Sequence, residues 1–421
     1  MPNLEAIRPY NGKSESRARE LEPPPFENTI LALDVDGVLV RPLAYRQATH
    51  LTIAFFAYRL GVDSREFMLD DKNRESGRSM NHFEAEGIHD PWDVSAIIVA
   101  LMMLKRTGID VSNGEALEMF RANSSPQSHP PDVILEQLRA RYGEANNGVL
   151  EDITATLSKT RDPFNNDVTS VFQEYVLGKQ TFESTYGKVS RTGAEESLIK
   201  TKDQSLLDDS ARREIQRISQ GGGMVVIYTG RPGLPPFDAP REPADGYAPE
   251  AELAVEKSRI NSVGIVSMGS MEWLGRKKNT PVESLTKPNP TQALGAILSA
   301  LRGRTDVQVL LDAYTWGQTG IAPIEIQPFI GEGRNKLKLV VVEDSPSGVR
   351  AFVNAKKILE DQGVLVELTA IGVHDANFEK HMAFARLFQE KGIDASGDHQ
   401  RTGEGIIQYS YGVRGRETLG D

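Results

Sequence analysis

Two aspartates one residue apart follow an apolar run near the start of the chain, and this pair constrains the fold strongly. Residues 31–40 read Leu-Ala-Leu-Asp-Val-Asp-Gly-Val-Leu-Val. Because side chains two residues apart on a strand point to the same side, Asp34 and Asp36 are expected to leave the end of a buried strand together, and Gly37 allows the backbone to turn away from them. The pair is suited to a metal ion and a phosphoryl group. By itself it is also typical of an ordinary turn after a strand.

A second apolar run ends at a hydroxyl, and a lysine follows further along the chain. Residues 224–231 read Met-Val-Val-Ile-Tyr-Thr-Gly-Arg, so the Thr229 hydroxyl and the neighbouring N–H groups can donate hydrogen bonds to phosphate oxygens. Lys287 stands just before a Pro-Asn-Pro sequence, after which the pattern predicts a helix over 291–301. The prolines stiffen the loop that carries this lysine.

A third apolar run ends at paired carboxylates. Residues 339–348 read Leu-Val-Val-Val-Glu-Asp-Ser-Pro-Ser-Gly, which predicts a strand followed by the start of a helix. Residues 307–312 are a rival candidate for this strand, but they lack the second carboxylate and the Ser-x-x-Gly continuation. We therefore expect Glu343 and Asp344 to face the same cleft as Asp34.

The spacing of these runs predicts an inserted domain. The strands that end at Asp36 and Thr229 are separated by far more residues than the single crossover that joins neighbouring parallel strands. The insert is expected over 43–219 and reads as mostly helical. Within it, six helices are predicted over 45–60, 92–105, 113–122, 131–142, 167–177 and 208–219.

The part of the chain after the paired carboxylates predicts more of the core and then a tail. Residues 364–373 are expected to form another core strand, and 378–391 an amphipathic helix. The stretch over 396–421 is polar and glycine-rich. Its short Ile-Ile-Gln-Tyr run at 406–409 is expected to add an edge strand or a partner contact.

Composition bounds the class of protein. The 421 residues, 39% of them hydrophobic, are enough for a well-buried core and two domains. The net charge of −11 argues against a surface for nucleic acid or anionic membrane, and the absence of cysteine excludes disulfides, thiolate chemistry and cysteine zinc sites. Residues 1–28 are expected to form a polar arm without a signal peptide, and no apolar run is long enough to span a bilayer. A cytoplasmic protein is expected, and its oligomeric state is left open.

In this order, the four segments resemble the four motifs of the haloacid dehalogenase (HAD) superfamily: the Asp-x-Asp-Gly strand, the strand ending in Ser or Thr, the Lys-Pro-x-Pro loop and the Glu-Asp-Ser strand end. The last two forms are similar to those of the subfamily that contains phosphoglycolate phosphatase and β-phosphoglucomutase. The resemblance implies an α/β fold with a doubly wound, mostly parallel, Rossmann-like sheet and an inserted, mostly α-helical cap domain. The implied divisions are an arm over 1–28, a discontinuous core over 29–42 and 220–395, a cap over 43–219 and a tail over 396–421.

Parts of the insert resemble a poorly characterised group of HAD phosphatase-like proteins. The similar stretches are Ala-Tyr-Arg at 44–46, Asp-Pro-Trp-Asp at 90–93 and Phe-Gln-Glu-Tyr at 172–175. Arg46, near the start of the first predicted helix, is expected to reach a substrate anion, with a surface or interdomain ion pair as the alternative. Trp92 and Phe172 are expected to pack in the core.

The resemblance also implies the chemistry of the two aspartates. Asp34 is the expected nucleophile, because an ionised carboxylate can attack phosphorus and form an aspartyl-phosphate that water later hydrolyses. Asp36 is the expected general acid, and then the general base. Dehalogenases of this superfamily lack the second aspartate, so its presence favours phosphoryl transfer.

An all-oxygen cluster suited to Mg²⁺ is implied beside the nucleophile. The implied metal ligands are Asp34, Glu343, Asp344 and the backbone carbonyl of Asp36. Together with the metal, Lys287 and Thr229 are expected to offset the negative charge on the phosphoryl oxygens. Substrate contacts are expected from Gly230, Arg231 and Arg46.

The sequence therefore predicts a Mg²⁺-dependent phosphohydrolase that acts on a small phosphorylated metabolite. Two alternatives stay open: a phosphomutase that uses the same core residues, and a non-catalytic binding or regulatory protein that keeps the fold. A membrane-spanning ATPase of the same superfamily is excluded because the apolar spans are missing. Substrate identity depends on cap and loop side chains, whose positions over the site a sequence does not determine.

Overall fold

The structure is a computed structural model, and it describes most of the chain. The described residues are 26–69, 80–86, 88, 90–124, 129–143, 147–241, 247–331, 335–374, 378–391, 394–399 and 401–417. Most of the arm expected over 1–28 lies outside them.

Six strands form a parallel sheet in the order β5-β4-β1-β6-β7-β8, and two short strands, β2 and β3, pair antiparallel beside it. The strands are β1 Thr29–Leu33, β2 Val40–Arg41, β3 Gln204–Ser205, β4 Met224–Tyr228, β5 Gly264–Val266, β6 Leu337–Glu343, β7 Val366–Val373 and β8 Asp394–His399. Every residue of β1 is buried, as expected for a central strand of a parallel sheet with both faces covered. The predicted mostly parallel α/β sheet is thus confirmed.

The register of the three central strands brings their carboxyl ends to one edge. Leu33 at the end of β1 lies opposite Ile227 of β4 and Val342 of β6. The backbone N–H of Asp34 donates to the Val342 carbonyl at 3.1 Å, which continues this pairing by one residue. The residues that follow the three strands therefore meet at the same place.

Nine α-helices and a short 3-10 helix, Ser64–Glu66, occupy the described residues between β2 and β3. The α-helices are α1 Leu43–Leu60, α2 Met80–Ala85, α3 Pro91–Arg106, α4 Asn113–Asn123, α5 Pro130–Tyr142, α6 Asn147–Leu157, α7 Asp167–Leu177, α8 Lys179–Tyr186 and α9 Leu198–Lys202. Helices α1 to α7 enclose an apolar core of their own, which includes Ile53, Ile97, Leu101, Ile134 and Ile153. The buried residues of α8 and α9 pack instead in the core that includes the sheet. Five of the predicted helices correspond to α1, α3, α4, α5 and α7, with ends that agree within two residues.

Eight more α-helices, with two 3-10 helices at Val282–Ser284 and Ile324–Phe329, accompany the sheet in the described part of the chain. The α-helices are α10 Asp209–Gln220, α11 Glu250–Ser258, α12 Met268–Lys278, α13 Pro290–Arg302, α14 Val307–Thr319, α15 Pro346–Asp361, α16 Phe378–Lys391 and α17 Thr402–Glu417. Alternate strand residues enter different cores: Ile30 packs with α13, α14 and α15, whereas Leu31 packs with α10, α11 and α17. Helices on both faces make the sheet doubly wound.

Two expectations for individual segments have opposite outcomes. Residues 307–312 begin α14, so β6 is the strand that carries the paired carboxylates, as preferred. The prediction of an edge strand at 406–409 is wrong, because these residues lie within α17. Thr402, Ile406 and Ser410 are all buried, a spacing of four that matches one face of a helix, and β8 takes the edge of the sheet.

Helix α10 packs on the sheet, against β4, although the cap was expected to extend to residue 219. The predicted division into arm, core, cap and tail stays a prediction. Among the described residues, no helix has both the length and the apolar character that crossing a membrane requires.

Candidate active site

Three carboxylates converge at the carboxyl end of the sheet. Asp34 follows β1, Glu343 ends β6 and Asp344 follows it, and one oxygen of each lies within 4.8 Å of the others. Asp34 is 6% exposed and Glu343 is fully buried. Buried carboxylates this close repel one another unless a cation lies between them, so the donor set fits a hard divalent cation such as Mg²⁺.

Lys287 supplies positive charge to two of these carboxylates. Its Nζ lies 3.2 Å from Asp34 Oδ1 and also donates to Glu343, and it stands 3.9 Å from the centre of the Tyr228 ring. Asn289 holds the loop by capping α13, since its side chain accepts from the Thr291 N–H at 2.8 Å. Burial lowers the pKa of Lys287, but the two carboxylates outweigh burial and the net pKa is raised. Its ammonium therefore stays charged at neutral pH.

The pKa values of the two neighbouring carboxyls are raised. Burial, together with the charge of Asp34, raises the pKa of Glu343 to about 8 against the opposing effect of Lys287. Burial also raises the pKa of Asp344, which the ammonium of Lys380 opposes from 2.6 Å. Sequence reasoning missed Lys380, because nothing in the α16 sequence indicates that this helix reaches the site.

Two glycines are required where backbone approaches the carboxylates. Gly37 has a φ of +72°, and a Cβ there would overlap the Asp344 carboxylate. A Cβ on Gly348, in the first turn of α15, would overlap the Glu343 carboxylate. Ser345 caps α15 and also donates its hydroxyl to Glu343 Oε2 at 3.0 Å. The sequence pattern Glu-Asp-Ser-x-x-Gly thus has a local steric reason.

Thr229 and Gly230 follow β4 and face the same cleft. The Thr229 carbonyl accepts from Gln292 Nε2 at 2.8 Å, and its hydroxyl accepts from the Arg231 N–H at 3.2 Å. A Cβ on Gly230 would meet no atom within 4 Å, so its backbone borders open space. Both residues can offer donors to an anion in the cleft.

Asp36 is bound by a buried arginine. Arg231 Nε lies 3.1 Å from Asp36 Oδ1, and its Nη1 lies 3.1 Å from Asp203 Oδ2. The guanidinium stands 4.9 Å from the centre of the Tyr45 ring, and its side chain is fully buried. Arg231 lines the cleft, but in this structure its guanidinium is engaged by the two carboxylates rather than directed to a free anion site.

A second buried group adjoins this pair. Glu250 accepts from the Tyr45 hydroxyl and, at 3.0 Å, from Gln173 Nε2. Burial raises the pKa of Glu250 to about 7, although both hydrogen bonds oppose the shift. Sequence reasoning missed Glu250 and Asp203, and the stretches at 44–46 and 172–175 were the only hints of this network.

The cleft is a cavity of ≈ 1450 Å³ between the sheet edge and the helical insert. Asp34, Asp36, Thr229, Gly230, Arg231 and Lys287 line it from the sheet side. Tyr45, Trp92, Phe164, Phe172, Gln173 and Tyr186 line it from the insert. Trp92 and Phe172, expected to pack in the core, therefore also border the cavity, and their ring centroids lie 6.2 Å apart.

Arg46 does not join this site. Its guanidinium lies 3.4 Å from Glu84 Oε1, both side chains are 40% exposed, and Arg46 is absent from the cavity wall. The structure thus brings together the predicted nucleophile, acid, lysine, hydroxyl and metal ligands, and leaves Arg46 outside.

Comparison with known proteins bears on the fold. No family model matches the chain, and no curated protein matches it. A crystal structure described as the X-ray structure of Northeast Structural Genomics Consortium target ZR25 is similar over 91% of this chain and 99% of that one, with a TM-score of 0.51 and 16% identity. The chain has an α/β, Rossmann-like fold. At this identity the likeness shows the fold alone.

Proposed function

We propose that this chain is a Mg²⁺-dependent phosphohydrolase of the HAD type that cleaves a small phosphorylated metabolite. The observation that carries the proposal is the convergence of Asp34, Lys287 and the Glu343–Asp344 pair, which come from three distant parts of the chain, at one end of a parallel sheet. Ligands of open α/β sheets bind at the carboxyl ends of the strands. The helical insert between β2 and β3 would act as the cap, and a cytoplasmic location stays part of the proposal.

In the first step, Asp34 attacks the phosphorus atom. A bond forms between a carboxylate oxygen and phosphorus, and the bond from phosphorus to the ester oxygen breaks, with its electron pair leaving on that oxygen. Asp36, on the same loop and protonated at the start of this step, gives its proton to the leaving oxygen and becomes a carboxylate. The product of this step is an aspartyl-phosphate on Asp34.

In the second step, water hydrolyses the aspartyl-phosphate. Asp36 takes a proton from the water as its oxygen attacks phosphorus, and Asp34 leaves as a carboxylate. Arg231 fixes the position of the Asp36 carboxylate between these two transfers. Free phosphate is released, and both aspartates return to their starting forms.

Positive charge and N–H donors stabilise the phosphoryl oxygens in both steps. Lys287, close to Asp34, would contact the phosphoryl group from one side, and Thr229 with Gly230 from another. Mg²⁺, held by Asp34, Glu343, Asp344 and the backbone carbonyl of Asp36, would neutralise charge on the phosphoryl oxygens when bound.

The test is phosphate release across a panel of phosphorylated metabolites with Mg²⁺, run beside Asp34→Asn. We expect release by the natural protein and a loss of at least about a thousandfold in the variant, because no nucleophile is left. Asp110→Asn is the matched control, since the Asp110 side chain is 77% exposed and pairs with Lys105 at 3.3 Å. Chelation with EDTA should abolish release as well.

Other outcomes point elsewhere. Transfer of the phosphoryl group to a second hydroxyl, without free phosphate, would identify a phosphomutase. A folded protein that binds Mg²⁺ but releases phosphate from none of the metabolites in the panel would contradict the proposal and favour a non-catalytic protein. Equal activity of Asp34→Asn and the natural protein would remove Asp34 from the mechanism.

A further inference from the structure

The C-terminal segment, β8 and α17, takes no part in the proposed chemistry, yet it reaches the loop that carries Asp36. β8 pairs in parallel with β7, and α17 packs along α10. Thr402, the first residue of α17, is 1% exposed, and its hydroxyl donates to the Val38 carbonyl at 2.7 Å. The two residues are 364 positions apart, so this contact joins opposite ends of the chain.

The loop after Asp36 is a tight turn held by its own backbone. The N–H groups of Val38, Leu39 and Val40 all point to the Val35 carbonyl, at 3.4, 2.8 and 3.0 Å. Asp36 and Val40 form a bridge within the turn. The position of the Asp36 carboxylate is therefore tied to the shape of the whole turn.

Two carbonyls of this turn are satisfied from outside it. The Leu39 carbonyl accepts from the Leu206 N–H at 2.9 Å. Leu206 directly follows β3, the strand that comes after the helical insert. Val38 is fully buried, and in the described part of the chain the Thr402 hydroxyl is the donor to its carbonyl. A buried carbonyl without a donor is costly, so loss of this hydroxyl would favour a turn that opens toward water.

We propose that Thr402 is a positioning residue for the active-site turn: its hydroxyl holds the Val38 carbonyl, and through the turn it keeps Asp36 beside Arg231 and the cavity. The C-terminal segment is then a brace for the site and not only an edge of the sheet. The effect on turnover rests on the proposed function, whereas the effect on the turn does not.

A purely stabilising role for α17 makes a different prediction, and Ser410 allows the two to be separated. Ser410 lies two turns further along the same helix, is fully buried, and donates to Glu214 Oε2 of α10 at 2.8 Å. Removing the Ser410 hydroxyl eliminates a buried hydrogen bond between α17 and α10 and leaves the contact of Thr402 with the active-site turn in place. Ser410→Ala is therefore the matched control.

The experiment compares Thr402→Val, Thr402→Ser and Ser410→Ala in the full chain. Amide hydrogen exchange of residues 37–40 reports on the turn, urea unfolding reports on global stability, and kcat and KM for an aryl phosphate with Mg²⁺ report on the site. We expect at least about tenfold faster exchange of the turn in Thr402→Val, with a lower kcat and a nearly unchanged KM. Thr402→Ser and Ser410→Ala should keep the exchange and the kcat of the natural protein.

The other possible results separate the effect of Thr402 on the turn from its effect on catalysis. Unchanged amide exchange of the turn in Thr402→Val, or an equal increase in Ser410→Ala, would contradict the proposal that Thr402 holds the turn. Faster exchange in Thr402→Val with an unchanged kcat would contradict the proposal that this contact positions Asp36 for catalysis. Faster exchange in a chain that hydrolyses no substrate would support the brace and contradict the proposed function. If Thr402→Val does not fold, Thr402→Ala repeats the comparison without the added methyl group.

Discussion

At the scale of single residues, the buried acid at the start of α11 couples protonation to folding. Glu250 is fully buried, and burial raises its pKa from 4.5 to about 7. Between these two values the folded chain holds a proton on Glu250 that the unfolded chain has lost. Folding stability therefore depends on pH at a residue outside the cluster of Asp34, Glu343 and Asp344.

The sign of this dependence follows from proton counting. The free energy of unfolding decreases as pH rises wherever the folded state binds more protons, so the contribution of Glu250 is lost between pH 4.5 and about 7. In the natural protein, Glu250 is expected to account for roughly 3 kcal/mol or less of the fall in unfolding free energy across this window. We expect this part of the fall to be absent in Glu250→Gln. Urea unfolding at both ends of the window measures it.

The control for this prediction lies on the same helix. Glu256 is exposed, and its side chain pairs with Lys200 at 3.3 Å. Glu256→Gln should leave the pH dependence of the natural protein intact. If Glu250→Gln showed the natural slope, Glu250 would titrate in the folded chain as it does in water.

At the scale of elements, the start of α15 lies directly against the end of β6. Ser345 caps the helix and accepts from the Gly348 N–H at 3.4 Å, while the Gly348 carbonyl accepts from the Tyr228 hydroxyl at 2.8 Å. This close approach directs Glu343 into the cluster, and it leaves no room for a Cβ at Gly348. The helix start and the candidate metal site are one structural unit.

We expect Gly348→Ala to weaken Mg²⁺ binding at least about tenfold and to lower the free energy of unfolding by about 1–3 kcal/mol, because the added methyl group must displace Glu343 or the helix. Titration calorimetry with Mg²⁺ and urea unfolding measure the two effects. Gly295→Ala is the matched control: it also lies within a helix, but its nearest atom to a new Cβ is at 3.5 Å, an ordinary contact. A Gly348→Ala protein with natural Mg²⁺ affinity would contradict this account.

At the scale of the whole molecule, the candidate metal site exists only in the folded chain. Asp34 and Glu343 are far apart in sequence, and β1 and β6 bring them together through parallel pairing. An ion that binds only the folded state stabilises it in proportion to the logarithm of its concentration. Metal binding is therefore expected to appear as stability even without any substrate.

We expect Mg²⁺ to raise the free energy of unfolding by about 2.7 kcal/mol at a concentration one hundred times its dissociation constant. Asp344→Asn should remove most of this gain, because one of the three clustered carboxylates is lost. Thermal unfolding at several Mg²⁺ concentrations measures it. Asp110→Asn, in the exposed loop between α3 and α4 and outside the cavity wall, should keep the gain of the natural protein.

Prediction from the sequence succeeded where the signal is local. The apolar runs that form β1, β4 and β6 are buried on both faces of the sheet. Helix α13 begins at a capping Asn followed by proline, and its predicted bounds therefore lie close to the observed ones. It failed at 406–409, because short apolar runs occur in both strands and helices. The burial of every fourth residue of α17 becomes visible only once α10 lies against it.

The sequence by itself determined the order of the buried strands along the chain, the chemical groups at their ends and the number of residues between them, because these depend on neighbouring residues and on spacing. Tertiary structure alone decided which distant groups meet: Arg231 with Asp36 and Asp203, Tyr45 with Glu250, and Thr402 with Val38. These pairings are between residues far apart in the chain, and no local pattern encodes them. They arise because burying two apolar faces of one parallel sheet leaves few arrangements for the polar groups at its edge.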